Sequence, residues 1–176
     1  MMTVRPGVAD DAHDIVRINA AGWRRAYAGI VPDDVLAAID VDARAERYRR
    51  QMAADRTNDT LVAVGDERVI GYVHFGPYRD GGSLDRSVGE VGAIYVDPDR
   101  WGTGAGRLLM DAALDRLAGH GYPEVRLWVL EANHAARGFY AHLGFHPDGG
   151  RASFPVRRPD GSVLALAEIR YARRAG

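Results

Sequence analysis

The stretch "VGEVGAIYVDPDRWGTGAGRLLM", residues 88–110, most restricts the folds open to this chain. An apolar, β-branched run stops at Asp97-Pro98. Glycines follow at 102, 104 and 106, and then a helical pattern begins, with Leu109, Ala113 and Leu117 four residues apart. Glycine costs a helix about 1 kcal/mol relative to alanine, so a start this rich in glycine needs a compensating reason. One reason is close approach of an anionic ligand to bare backbone N–H groups at the positive end of a helix. The other is only that the helix packs close to the sheet. "GY" at 121–122 breaks the helix, and "EVRLWVL" at 124–130 reads as the next strand. Residues 88–130 therefore form a βαβ unit. Its glycine turn lies at the carboxyl end of a strand, where open α/β sheets bind ligands. A P-loop is excluded, because Arg107-Leu108 stand where lysine and Ser/Thr are required. A dinucleotide fingerprint fails too, since its third glycine would fall at Arg107.

The rest of the chain fixes the fold class. "TVRPG" (3–7) reads as a first strand and residues 9–28 as a helix, with Ile15, Ile18, Trp23 and Tyr27 on its apolar side. A second helix starts after Pro32 and a third covers 41–53. "TLVAVG" and "RVIGYVHFG" are strands joined by "DE", a hairpin signal. "DGGSLDRS" (80–87) reads as a flexible loop, "NHAARGFYAHLG" (133–144) as a helix and "LALAEIRYA" (164–172) as a closing strand. The order implies a mixed α/β layer with an antiparallel front half, in one domain spanning 1–176. With no cysteine, disulfides and thiol catalysis are excluded. A net charge of -1 gives no reason to expect nucleic acid. No apolar run approaches the roughly 20 residues of a membrane helix, and the N-terminus does not read as a signal peptide. The expectation is a cytoplasmic protein with neither nucleic acid nor membrane as partner.

"IYVDPDRWGTGAGRLLM" resembles the acetyl-CoA-binding motif of the GNAT superfamily of N-acetyltransferases, and "WVLEANHAARGFYAHLGF" (128–145) resembles its later motif. The resemblance covers residues 60–146, the acetyl-CoA-binding core, and extends more loosely through "GWRRAYAGIVPDDVL". It implies a central, mostly antiparallel twisted sheet of about 6–7 strands, splayed at the middle, with helices on both faces. It implies acetyl-CoA as co-substrate, no metal, an amine acceptor, and a homodimer as an assembly common among similar proteins. One departure is visible. The family carries Gln or Arg where this chain has Trp101, which removes a charge-assisted contact to phosphate and leaves the backbone cradle intact.

The resemblance also assigns roles. The pyrophosphate would lie on the N–H groups of Gly102, Thr103, Gly104, Ala105, Gly106 and Arg107. Strand 88–96 should part from strand 124–130, so that the pantetheine arm pairs with the backbone around Ile94, Tyr95 and Val96. Asn133 would reach the pantetheine amide, or serve only as a helix N-cap. Tyr140 would protonate the leaving thiolate, the alternative being a core tyrosine. Glu90, expected on one strand face with Gly92, Ile94 and Val96, would take the proton of the acceptor ammonium, or be a solvated strand-end glutamate. Trp23, Tyr27 and Tyr78 would line the acceptor pocket. The activity implied is direct acetyl transfer to a primary amine of a small molecule, peptide or protein. The rivals are a non-catalytic acyl-CoA sensor, transfer of a longer acyl group, and transfer to oxygen.

Overall fold

A computed structural model describes residues 1–176. Seven strands form one sheet: β1 (Thr3–Pro6), β2 (Asp59–Gly65), β3 (Arg68–Asp80), β4 (Ser83–Val96), β5 (Glu124–Leu130), β6 (His146–Arg157) and β7 (Val163–Arg174). Their spatial order is β1-β2-β3-β4-β5-β7-β6. Every neighbouring pair is antiparallel except β4 and β5. The helices are α1 (Ala12–Ala26), α2 (Asp33–Ala37), α3 (Val41–Ala54), α4 (Ala105–Gly119) and α5 (His134–His142). No helix is long and apolar enough to cross a membrane.

The two faces of the sheet bury different sets of residues. On one face α4 presents Leu109, Met110, Ala113 and Leu117, all fully buried, to Val73, Phe75 and Val91. Burying each such large side chain contributes about 1.5–3 kcal/mol. On the other face α1 lays Ile15 and Ile18 on Val62 and Tyr72. Its later residues Trp23 and Tyr27 join Val31, Leu36 and Val156 in a separate cluster. Gly22 permits the close approach of α1 to β4, since a Cβ there would stand 2.8 Å from the Tyr95 ring.

Two departures from the sequence reading lie in the strands. Residues 80–87 are not a flexible loop: β3 and β4 continue as a hairpin closed by Gly81-Gly82. Both glycines have positive φ, 55° and 96°, as a mirror-image two-residue turn requires. Asp66 and Glu67 close the β2–β3 hairpin in the same conformation, with φ of 51° and 61°. The reading also passed over β6, whose pattern is interrupted by Pro147 and Gly149-Gly150; it occupies the sheet edge, where such interruptions are tolerated.

The feature that positions the site is a bulge in β4. His74 pairs with Ala93 and Phe75 with Val91, which leaves Gly92 opposite nothing. The extra residue reverses the alternation. Val91, Ile94 and Val96 turn toward the α4 cluster, whereas Ala93 and Tyr95 pack on the α1 side. Glu90, next to Val91, therefore shares the face of Ala93 and Tyr95. This corrects the expectation that it shares a face with Ile94 and Val96.

Candidate active site

β4 and β5 pair only at Gly89–Val125 and Glu90–Arg126. Beyond that point they part, and a cleft of about 720 Å³ opens between them. The parting leaves the β5-facing edge of β4 from Val91 to Val96 without a strand partner. Buried unpaired backbone groups cost about 1–3 kcal/mol each, so an edge of this kind calls for an extended occupant with amide groups of its own.

At one end of the cleft lies the glycine turn. Gly102 and Gly104 have φ of 77° and 90°, and Gly104 is the N-cap of α4. The hydroxyl of Thr103 donates to the Arg100 carbonyl at 2.7 Å and pins the turn. None of the N–H groups from Gly102 through Arg107 finds an acceptor in the chain. All but that of Thr103, which was also expected at the pyrophosphate, belong to residues that line the cleft at the positive end of a 15-residue helix. Gly106 has a second reason to be glycine: a Cβ there would meet the Phe139 ring at 3.2 Å, so α4 and α5 are packed close. Gly102 and Gly104 thus leave bare backbone open at the turn, while Gly106 allows close packing against α5. Arg100 and Arg107 line the same end, the first paired with Asp66 at 2.7 Å and the second with Asp111 at 3.6 Å. The turn fits a pyrophosphate, and the open edge of β4 fits a pantetheine arm. Trp101 stands beside them and donates from its indole N–H to the Val96 carbonyl at 2.9 Å. One of the backbone groups expected to meet the arm therefore already has a partner.

α5 supplies the middle of the cleft. The Asn133 side chain accepts from the Ala136 N–H at 3.1 Å, an N-cap bond that uses its oxygen; its amide group also hydrogen-bonds to the Tyr27 hydroxyl, and the residue lines the cleft. Two turns on, Tyr140 packs against Phe139, Phe145 and Tyr171. Its hydroxyl makes no hydrogen bond within the chain, and its residue lines the cleft. Burial, reinforced by Tyr27, holds the phenol well above its ordinary pKa, so it is protonated across the physiological range.

The far end is built by side chains on the α1 face. Burial pushes the Glu90 carboxyl up to about 7, against the pull of Arg79 and with a push from Glu168. Burial also raises Glu168, a cleft residue on β7 that the sequence reading did not single out. Its only sequence signal is that it is the one acidic residue of a strand that otherwise carries apolar residues and arginines. Trp23 donates to the Tyr95 hydroxyl at 3.0 Å, and the Tyr27 hydroxyl lies 3.3 Å from the same oxygen. Burial raises both phenols, Tyr95 well above its usual value. Trp23 packs edge-on to Tyr27 and tilted against Phe154, so an aromatic wall lines this end.

Tyr78 is the exception among the expected pocket residues. It is 2% exposed, accepts a hydrogen bond from Arg170 at 3.1 Å, and lies under the Arg126 and Arg170 guanidinium groups, away from the cleft lining. It is a packing residue below the floor of the site. No group of three or more His, Asp or Glu side chains is arranged to hold a metal ion.

A sequence profile of the acetyltransferase (GNAT) family matches residues 23–145. The uncharacterized N-acetyltransferase YuaI of Bacillus subtilis is 30% identical over 135 residues, covering 76% of this chain and 74% of that protein. A mycothiol acetyltransferase of Nocardioides is 35% identical over 154 residues; the match covers 84% of this chain but only 51% of that relative, so the chain spans about half its length. Among solved structures, a PaiA N-acetyltransferase from Thermoplasma acidophilum in complex with coenzyme A superposes with a TM-score of 0.73 at 19% identity, covering 96% of this chain and 98% of that one. YncA from Salmonella typhimurium, solved with acetyl-CoA, gives 0.68 at 24% identity, over 99% and 94%. These two share the fold.

Proposed function

The chain belongs to the acetyltransferase (GNAT) family, and we propose that it moves the acetyl group of acetyl-CoA directly onto a primary amine. One observation carries this reading: Gly102 and Gly104 to Arg107, whose N–H groups are unpartnered, line the same cleft as Glu90 and Tyr140. A binding module needs only the first. A transferase needs a proton acceptor for the amine and a proton donor for the sulfur, and both line the cleft.

The residues divide the work as follows. The glycine turn and Arg107 hold the pyrophosphate, and Asn133 and the free edge of β4 hold the pantetheine arm. Glu90 removes a proton from the acceptor ammonium, directly or through water. With its pKa near 7 it is a stronger base than an ordinary carboxylate and is about half ionised at neutral pH. The amine lone pair forms the C–N bond as the C–S bond breaks, Tyr140 gives its proton to the departing sulfur, and the second proton that the nitrogen must lose passes back through water to restore the phenol. Burial keeps the phenol protonated, which suits it to hydrogen-bond to the developing thiolate, and makes it a weaker acid than a free phenol. The absence of cysteine agrees with direct attack, since the thiol route to an acyl-enzyme is closed.

A thiol-release assay with acetyl-CoA against amines, amino acids, aminoglycosides and peptides tests the reading. Turnover with at least one amine is the expected result. Coenzyme A binding with no turnover on any acceptor would turn the reading into that of an acyl-CoA sensor.

A further inference from the structure

The charged residues lining the cleft divide by sign between elements: Arg100 and Arg107 stand at the glycine turn, and Glu90 of β4 and Glu168 of β7 stand on the α1 face of the sheet. Neither glutamate forms an ion pair. Elsewhere the chain pairs its partly buried acids with arginine, as at Asp11, Asp97 and Asp148. The arginines near the glutamates do not fill the gap. Arg126 is paired with Glu124 at 2.6 Å and Arg170 with Asp148 at 2.7 Å. Arg79 favours the ionised form of Glu90 but does not line the cleft. Two unpaired carboxylates in a largely apolar cleft are costly unless a cation joins them. Around them Trp23, Tyr27 and Phe154 form a wall of aromatic rings, the surface that holds ammonium groups and methylene chains well.

The two carboxylates do not stand at one point. Glu90 sits where β4 and β5 still pair, opposite Arg126. Glu168 sits opposite Leu130 at the far end of β5, on the second strand over, beside Tyr27. A single ammonium at Glu90 would leave Glu168 unpaired. An amino acid acceptor would bring its own carboxylate toward a glutamate, with no lining cation at that end.

From this arrangement, and on the transferase reading above, we propose that the acceptor is a small aliphatic diamine or polyamine. One nitrogen is presented to Glu90 for acetylation. A second, still charged, is held by Glu168 against the aromatic wall.

The test is calorimetric titration of protein saturated with coenzyme A, using diaminobutane, spermidine, butylamine, aminobutyrate and a capped lysine amide, with thiol release from acetyl-CoA followed for each. A charge-assisted hydrogen bond predicts that diaminobutane binds at least about tenfold tighter than butylamine. Aminobutyrate should bind more weakly than butylamine. Glu168→Gln should shrink the ratio of diaminobutane to butylamine affinity below about threefold, and Glu168→Asp should restore part of it. Equal affinities for diamine and monoamine, tighter binding of the capped lysine, or an unchanged ratio in a folded Glu168→Gln protein would overturn the proposal. Transfer to all amines alike would leave the transferase reading standing and remove this acceptor class. Selective diamine binding without any thiol release would do the reverse.

Discussion

The two ends of the cleft are built by different means. The glycine-turn end offers backbone, with unpartnered N–H groups from consecutive residues held by the start of α4. The proposed acceptor end offers side chains, with Glu90 from β4, Glu168 from β7, Trp23 from α1, Tyr27 capping it and Phe154 from β6. A backbone cradle tolerates many side chains and needs only the right φ angles. A side-chain pocket depends on each residue and on the register of every strand that carries one. Substitutions at the acceptor end should therefore act on rate and selectivity, and those at the turn on coenzyme A affinity.

The largest separation is expected from Glu90→Gln. Losing the base should lower kcat/KM by about 10²–10⁴-fold and leave coenzyme A affinity nearly unchanged. The base acts ionised, so in the parent kcat/KM should rise with pH through about 7 and level off above it. The variant should lack that limb. An acceptor alkylamine titrates near 10, well clear of it. A variant with full activity, or a limb that survives, would make Glu90 a half-buried charge without a catalytic role.

Tyr140→Phe lies at the junction of the two ends and comes next. It removes a hydroxyl with no partner in the chain, so packing against Phe139, Phe145 and Tyr171 should persist. A fall in kcat of about 10–10³-fold is expected, below the full range for acid catalysis because a thiolate is already a fair leaving group. Equal kcat in rapid-quench measurements would leave water as the proton donor.

The difference between the ends also explains what could be read from sequence. Gly102, Gly104, Gly106, Asn133 and Tyr140 lie in two short segments whose spacing carries the geometry, and all of them line the cleft or cap its helices. Glu168 could not be found this way. Its neighbourhood with Glu90 depends on β7 inserting between β5 and β6, a long-range pairing that no local pattern encodes. Tyr78 was misplaced for a related reason: aromatic residues near a site look alike in sequence whether they face the cleft or lie under it. Glu90 was found, but its face was assigned by simple alternation, which the bulge at Gly92 breaks. The Gly81-Gly82 hairpin was missed, because that dipeptide suits a flexible loop as well as a mirror-image turn.

At the turn, Gly104→Val tests the cradle. Nothing lies within 4 Å of a Cβ there, but φ is +90°, which β-branched residues avoid. The strain is about 1–2 kcal/mol, and the side chain would project where phosphate must approach. Calorimetry should show coenzyme A binding weaker by about tenfold or more, with the α4 core still folded by circular dichroism. Unchanged affinity would move the anion away from this turn.

The smallest effect belongs to Trp101, where the backbone end borrows a side chain. The indole N–H holds the Val96 carbonyl at 2.9 Å, yet the residue is 49% exposed. A solvent-exposed hydrogen bond of this kind contributes about 0.5–1.5 kcal/mol. Its position ties the last residue of β4 to the turn that follows, so its loss should loosen the approach to the cradle without removing any of its N–H groups. Trp101→Phe keeps an aromatic ring and deletes only the donor. Coenzyme A should bind about two- to fivefold more weakly, by calorimetry, with kcat for a confirmed amine within about twofold of the parent. Tighter binding would have a different meaning. It would show that the indole competes with the pantetheine arm for the Val96 carbonyl, and that the tryptophan moderates affinity at the position where similar proteins carry Gln or Arg.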